Sequence, residues 1–183
     1  MTAFANVIVH INGWPGSGKL TIAKLLAPML GAKLVDNHTL MNPAEMLFSR
    51  GDPLYRSLRA AVRETVFDHI VRAEPAASYV FTDALSDDEF DTAQFEHYRV
   101  LAERRQARLV PVVLDCSEDE NRRRLEAAGR VERHKLVDVS VLDGLRAKHR
   151  LLRFERALAL DVTDLTVDAA ATRLARLIGE SLS

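Results

Sequence analysis

Gly13-Trp14-Pro15-Gly16-Ser17-Gly18-Lys19 sets a glycine, four residues, a second glycine and a lysine in a row. That spacing lets successive backbone N–H groups turn inward around a phosphate while the lysine reaches the terminal phosphates of a nucleotide. The flanks agree with it. Before it, Val7-Ile8-Val9-His10-Ile11 is a β-branched apolar run closed by Asn12-Gly13, the pattern of a strand buried on both faces. After it, a helix is predicted over about 19–30, with Ile22, Leu25, Leu26 and Met29 as its apolar stripe, Pro28 in its last turn and Gly31 at its stop. A helix N-terminus adds its partial positive charge to such a loop. Gly13, Pro15, Gly16, Ser17, Gly18, Lys19, Leu20 and Thr21 are therefore the candidate nucleotide-binding residues. A plain glycine turn with a solvated lysine would need six defined positions and both flanks to agree by accident.

Further along, Ala32 to Val35 predicts a second strand, and Asn42-Pro43-Ala44-Glu45 predicts the capped start of a short helix to about Arg50. Asp52-Pro53 opens another helix to about Ala73, with Leu54, Leu58, Ala61, Val62, Val66 and Ile70 at helical spacing. Tyr79 to Thr82 reads as strand three. Capping boxes at Ser86-Asp87-Asp88-Glu89 and Ser117-Glu118-Asp119-Glu120 open helices on either side of a fourth strand, Arg108 to Leu114. A helix over about 141–156, a fifth strand from Leu158 to Val162 and an apolar period from Val167 to Ile178 complete the chain. Strands alternating with helices predict an α/β fold, a parallel sheet with helices on both faces and a ligand site beyond the carboxyl ends of its strands.

Composition narrows the function classes. The chain has 183 residues, 48% hydrophobic and 28% charged, which suits one domain of a globular protein. No apolar run approaches the length of a membrane span, and Met1 to Ile11 has no cationic stretch ahead of its apolar segment, so a cytoplasmic protein is expected. A net charge of −1 argues against the broad cationic field of nucleic-acid binding. The one cysteine, Cys116, has no disulfide partner and reads as buried packing, and the six histidines fall at no zinc spacing. Trp14, inside the loop, reads as a shield over the site. Arginine outnumbers lysine 20 to 5, which singles out Lys19.

Gly-x-Pro-Gly-Ser-Gly-Lys-x-Thr over residues 13–21 resembles the phosphate loop of adenylate kinases. In length and element order the whole chain resembles the small P-loop kinases, including the shikimate, gluconate and nucleoside monophosphate kinase families of the P-loop NTPase superfamily. The resemblance implies a three-layer sandwich with a five-stranded sheet of order 2-3-1-4-5. It implies ATP and Mg2+ as cofactors, an acceptor-binding insert at about 37–75 and an arginine-rich lid at about 124–137. Leu20 stands where a hydroxyl normally ligates magnesium; the hydroxyl comes at Thr21, so the metal is expected to be held largely through water. Asp83, ending strand three, is the second candidate for the metal, in the manner of a Walker B acid, with helix capping as its plainer role.

Asp36-Asn37-His38 follows strand two, at the edge where a second substrate approaches the phosphate loop. It resembles the Asp-x-Asp of shikimate kinases with His38 in the third place, and Gly51-Asp52-Pro53-Leu54 is similar to a Gly-x-Pro-Leu segment of gluconate kinases. Phosphoryl transfer to a hydroxyl is helped by a group that orients it and takes its proton, so Asp36 and His38 are both candidates for the base. A turn before the next helix would use the same residue types. Arg56, Arg59 and Arg63 recur at i, i+3 and i+7; one of them suits an anionic acceptor, and a solvated helix face explains the spacing of the others. About 40 residues separate Val35 from Tyr79, far more than a bare crossover of about a dozen needs, and few of them are aromatic. A polar acceptor, a sugar acid or polyol, is favoured.

Arg122, Arg123 and Arg124 precede Arg130, Arg133, His134 and Lys135. Guanidinium groups stabilise the charge on a transferring phosphoryl group, so Arg130 and Arg133 are assigned catalytic roles in the lid. Arg124 is placed on the adenine ring, and Arg122 and Arg123 on a solvated face. The resulting expectation is an ATP-dependent kinase acting on a small-molecule acceptor. A nucleoside or nucleotide kinase, an antibiotic phosphotransferase, and a nucleotide-binding switch or sensor remain its rivals.

Overall fold

The first strand, β1 (Val7–Gly13), sits at the centre of the sheet, and every one of its residues is buried, as its unbroken apolar run requires. The computed structural model describes residues 4–126 and 138–183. After β1 come α1 (Lys19–Met29), β2 (Ala32–Asp36), α2 (Asn37–Glu45), α3 (Pro53–Arg72), β3 (Ser78–Asp83) and α4 (Glu89–Arg105). They are followed by β4 (Arg108–Asp115), α5 (Glu118–Glu126), α6 (Val139–Lys148), β5 (Leu158–Asp161) and α7 (Val167–Leu182). All strand pairings are parallel and the order is β2-β3-β1-β4-β5, as the resemblance implies.

The alternation of strand side chains divides the core. Val7, Val9 and Ile11 pack with Ile22 and Leu26 of α1 and Leu174 and Ile178 of α7. Ile8 faces the other way, into Phe67 and Ile70 of α3, Phe81, and Tyr98 and Leu101 of α4. A third cluster joins Trp14 to Val113, Leu125, Leu142 and Leu151, so Trp14 is a core residue and not a shield over the site. Burying its ring there pins the loop that carries it to the sheet. Cys116 is buried, as expected, and burial pushes its thiol up from the ordinary value.

Several local boundaries differ from the sequence reading. The helix expected to start at Asn42 starts at Asn37, because Asp36 is its cap: Oδ1 accepts from His38 N at 2.9 Å and Thr39 N at 3.3 Å. Pro43 consequently lies inside that helix, near its end. In α1, Ala23 and Ala27 are buried while Leu25 is exposed, so the inward stripe is rotated toward the small residues facing α7 and the sheet. In α3, Tyr55, Phe67 and Ile70 point inward and Leu54 is exposed. Asp52 and Pro53 open α3 as predicted. The cap of α4 is Asp88, not Ser86, whose hydroxyl donates to Asp88 and Asp91. Ser117 does cap α5, accepting from Glu120 N. Finally, α6 ends at Lys148; the following segment instead pairs Leu151 with Ser86 and stacks Phe154 on Phe95.

Candidate functional site

The glycine loop joins β1 to α1 and is held from below. Gly16 and Gly18 have φ of 91° and 88°, a region that a side chain rarely adopts. A Cβ on Gly16 would lie 2.6 Å from Asn121 Nδ2, which donates to the Pro15 carbonyl at 2.8 Å. Gly13 has no room for one either, since a Cβ there would meet Ser17 Oγ at 2.7 Å and the Leu114 carbonyl at 2.8 Å. Ser17 N donates to the Trp14 carbonyl, closing a tight turn, and Lys19 Nζ donates to the same carbonyl at 3.2 Å.

At its N-terminus α1 differs from its neighbours. Asp36, Asp52, Asp88, Asp138 and Thr166 each cap a helix with a side-chain oxygen. The Gly18 cap of α1 has no side chain to offer, and its first turn carries no acid. A helix start without a side-chain cap, at the positive end of the dipole, is the kind that suits an exogenous anion.

A cavity of about 510 Å³ opens over the loop and is lined by Lys19, Thr21, His38, Arg59, Thr82 and Asp83, among others. Of the loop residues, Pro15, Gly16, Gly18 and Leu20 also reach it, whereas Gly13 and Ser17 are buried beneath and shape the turn. Loop, strand two and strand three thus meet in one space, because parallel strands end on the same edge of the sheet. Asp36 stands at the end of β2 but turns its carboxylate to the first turn of α2, with Oδ2 accepting from Thr39 Oγ1 at 3.2 Å. His38, on α2, reaches the cavity.

Asp83 is 4% exposed and, among the described residues, is held through one oxygen. Tyr98 Oη donates to Oδ2 at 2.5 Å, and His10 Nε2 lies 3.2 Å from the same oxygen. Burial first, then the neighbouring Asp83 carboxylate, pushes the Tyr98 phenol well above its ordinary value near 10, so it remains a donor. Asp83 Oδ1 receives no hydrogen bond among the described residues. Tyr98 and His10 carried no sequence signal for this role, since a histidine within an apolar strand and a tyrosine on a helix read as core. Asn12 was missed too. Its amide donates to the Leu85 and Leu152 carbonyls and accepts from Gly13 N and Leu85 N, tying the end of β1 to the loops beside the cavity.

The arginines separate by role. Arg124 donates to the carbonyls of Ser17 at 3.1 Å and Val162 at 2.7 Å, and to Glu120. Its guanidinium thus braces the phosphate loop against the chain after β5, a contact that uses the donors an adenine stack would leave free. Arg122 pairs with Asp143 and Arg123 with Glu120, in keeping with an outer face. Arg56, Arg59 and Arg63 all line a second cavity of about 310 Å³ beside the first; Arg56 is exposed, as on a solvated face, while Arg59 and Arg63 are half-buried. Arg130 and Arg133, with most of the expected lid, lie outside the described residues. Among the described residues no cluster of three metal-ligating side chains occurs and no helix is long and apolar enough to cross a membrane.

Comparisons with known proteins agree with the geometry. The family model described as an AAA domain matches residues 9–140. No curated protein matches the sequence. Among solved structures, a gluconokinase from Sinorhizobium meliloti 1021 is similar, at 21% identity and a TM-score of 0.60 over 98% of this chain and 99% of that one. A shikimate kinase from Bacteroides thetaiotaomicron is 18% identical, with a TM-score of 0.61 over 94% and 98% of the two chains. An APS kinase from Mycobacterium tuberculosis, in complex with AMPPNP and APS, is 18% identical with a TM-score of 0.62 over 96% and 98%. The chain therefore belongs to the AAA domain family, and its fold is that of the small P-loop kinases.

Proposed function

We propose that the protein is an ATP-dependent kinase that transfers the terminal phosphoryl group to a hydroxyl of a small polar acceptor, in the class of sugar acids and polyols. One observation carries the reading: the uncapped, glycine-lined start of α1 opens into the same cavity as Lys19, His38 and Asp83. A nucleotide-binding switch would need only the first half of that arrangement. The solved kinases of this fold, one of them named as binding AMPPNP and APS, lend support.

The loop amides from Gly16 to Thr21 and the α1 dipole hold the β-phosphate, and Lys19 leaves the Trp14 carbonyl to reach the transferring group. His38 faces the acceptor and takes the proton of its hydroxyl, while Asp36 fixes the turn that aims His38. Arg124 keeps the loop in shape from outside, and Arg130 and Arg133 are proposed to close over the phosphoryl group. Thr21 and Asp83 offer hard oxygen donors on the cavity wall, with Asp83 Oδ1 unspent, which suits a magnesium ion held mainly by phosphates and water. When bound, the metal would neutralise charge on the β- and γ-phosphate oxygens. The acceptor lies between α2 and α3.

The test is product formation followed by mass spectrometry and ADP release, with sugar acids, polyols, nucleosides and nucleoside monophosphates as acceptors. Phosphorylated polyol or sugar acid, lost in Lys19→Ala, is the expected result. Phosphorylation confined to a nucleoside monophosphate, or ATP binding without any transfer, would overturn it.

A further inference from the structure

The smaller cavity adjoins the larger one, sharing Met41, Arg50 and Arg59 with it, and continues between α3 and α4 toward Arg56, Arg63 and Gln94. Three of its arginines project from one helix at i, i+3 and i+7, so they stand on one face. Among the described residues, no acidic one lines it.

The charge on this wall is poorly balanced. Arg50 pairs with Glu45 at 2.6 Å. Arg63 donates to Gln94 and lies 2.8 Å from His97 Nε2, both uncharged partners when the imidazole is neutral. Arg56 and Arg59 have no carboxylate partner among the described residues. Like charges three and four positions apart on a helix are mildly destabilising, so the arrangement does not serve the stability of α3. Burial above all, with a smaller contribution from Arg59, lowers Arg63 from its ordinary value, while Tyr98 and the Asp83 and Glu64 carboxylates partly offset it.

Three guanidinium groups lining one cavity exceed what one carboxylate uses, since a single planar fork satisfies it. They match a dianion with three outward oxygens. We propose that the smaller cavity binds a phosphate monoester group already present on the acceptor, so that the substrate is a phosphorylated polyol whose free hydroxyl reaches His38. This rests on the kinase reading above and narrows it. The transfer breaks the bond between the γ-phosphorus and the β,γ-bridging oxygen of ATP and forms one from that phosphorus to the acceptor hydroxyl oxygen. The hydroxyl proton passes to His38, and the products are ADP and a bisphosphorylated compound.

Two measurements separate this proposal from the reading beneath it. In the first, inorganic phosphate is titrated calorimetrically into protein saturated with AMPPNP, so that the glycine loop is already filled. Saturable binding is expected, weakened at least 10-fold by Arg56→Gln or Arg59→Gln, and weakened less by Arg59→Lys, which keeps the charge but not the fork. Absence of saturable binding in the wild type, or wild-type affinity in both glutamine variants, overturns the proposal. Loss of AMPPNP binding alone would instead count against the kinase reading, and phosphate titration without nucleotide would still decide the cavity by its response to the same variants. In the second, ADP release is compared for glycerol 3-phosphate against glycerol and for 6-phosphogluconate against gluconate. A kcat/KM at least 100-fold higher for the phosphorylated member of a pair supports the proposal; equal or higher values for the unphosphorylated members reject it.

Discussion

Tyr98 Oη lies 2.5 Å from Asp83 Oδ2, joining the middle of α4 to the carboxyl end of β3 beneath the larger cavity. The phenol holds one oxygen of the carboxylate and His10 approaches the same one, in a residue that lines the cavity where nucleotide and acceptor are proposed to meet. Removing the phenol should leave the charge in place but loosen its aim. Tyr98→Phe is expected to cost about 1 kcal/mol of stability and roughly 10-fold in turnover, whereas Asp83→Asn should lose roughly 100-fold or more. Steady-state kinetics across a magnesium titration would check this, and equal effects of the two variants would contradict the assignment.

Lys19→Ala should weaken ATP binding and abolish transfer, because the ammonium group is the one point charge that the loop contributes to the terminal phosphates. Thermal melting with and without ATP reads the binding half directly. An undiminished rise in Tm on adding ATP would argue against the loop as the nucleotide site.

Gly16→Ala places a methyl group 2.6 Å from Asn121 Nδ2 in a residue whose φ is 91°. The strain is of order 1–3 kcal/mol and falls on the turn itself. Lower stability together with lost nucleotide affinity is expected from chemical denaturation and ATP titration. Gly51→Ala, at a position with open space around it, is the matching control and should change neither by much.

His38→Ala should lower turnover roughly 100-fold while nucleotide binding survives, as befits a base facing the acceptor. Asp36→Asn should be far milder, since asparagine caps a helix as well as aspartate does. Asp36→Ala, by contrast, removes the cap and should cost about 1 kcal/mol. If Asp36→Asn proves as damaging as His38→Ala, the strand-two carboxylate and not the imidazole takes the proton.

Hydrogen bonds from Arg123 and Arg124 hold the Glu120 carboxyl down at about 2, below its ordinary 4.5. A carboxylate with a depressed folded-state value stabilises the fold fully above 4.5 and loses that contribution as pH falls through about 2. Urea midpoints measured down this window should drop in the wild type and drop less steeply in Glu120→Gln. Because Arg124 also braces Ser17, ATP affinity should weaken over the same window.

Strand positions, the parallel sheet and the loop were legible because they follow from local rules: an apolar run, a glycine spacing, an alternation of elements; the strand order came only with the resemblance to small P-loop kinases. Helix starts were less so. Asp36 looked like chemistry because it ends a strand, yet its carboxylate is shared between two backbone amides, and nothing in Asp36-Asn37-His38 distinguishes a cap from a base. Which of Arg56, Arg59 and Arg63 leaves the solvated face was not legible, because helical spacing says only that they share a side, not that Gln94 and His97 of α4 stand beside Arg63. Tyr98 and Asn12 were invisible for the same reason, since their partners Asp83, Leu85 and Leu152 are brought to them by tertiary structure alone.

With ATP in the glycine loop as proposed, the start of α1 would tie the folded state to cellular energy charge. A helix whose amino end is completed by a bound phosphate gains stability by mass action: free nucleotide at 100 times its dissociation constant contributes about 2.7 kcal/mol. Chains in an ATP-replete cell would therefore unfold less often and meet proteases less often than the same chains under starvation. Its lifetime as well as its turnover would rise and fall with the supply of the compound it consumes.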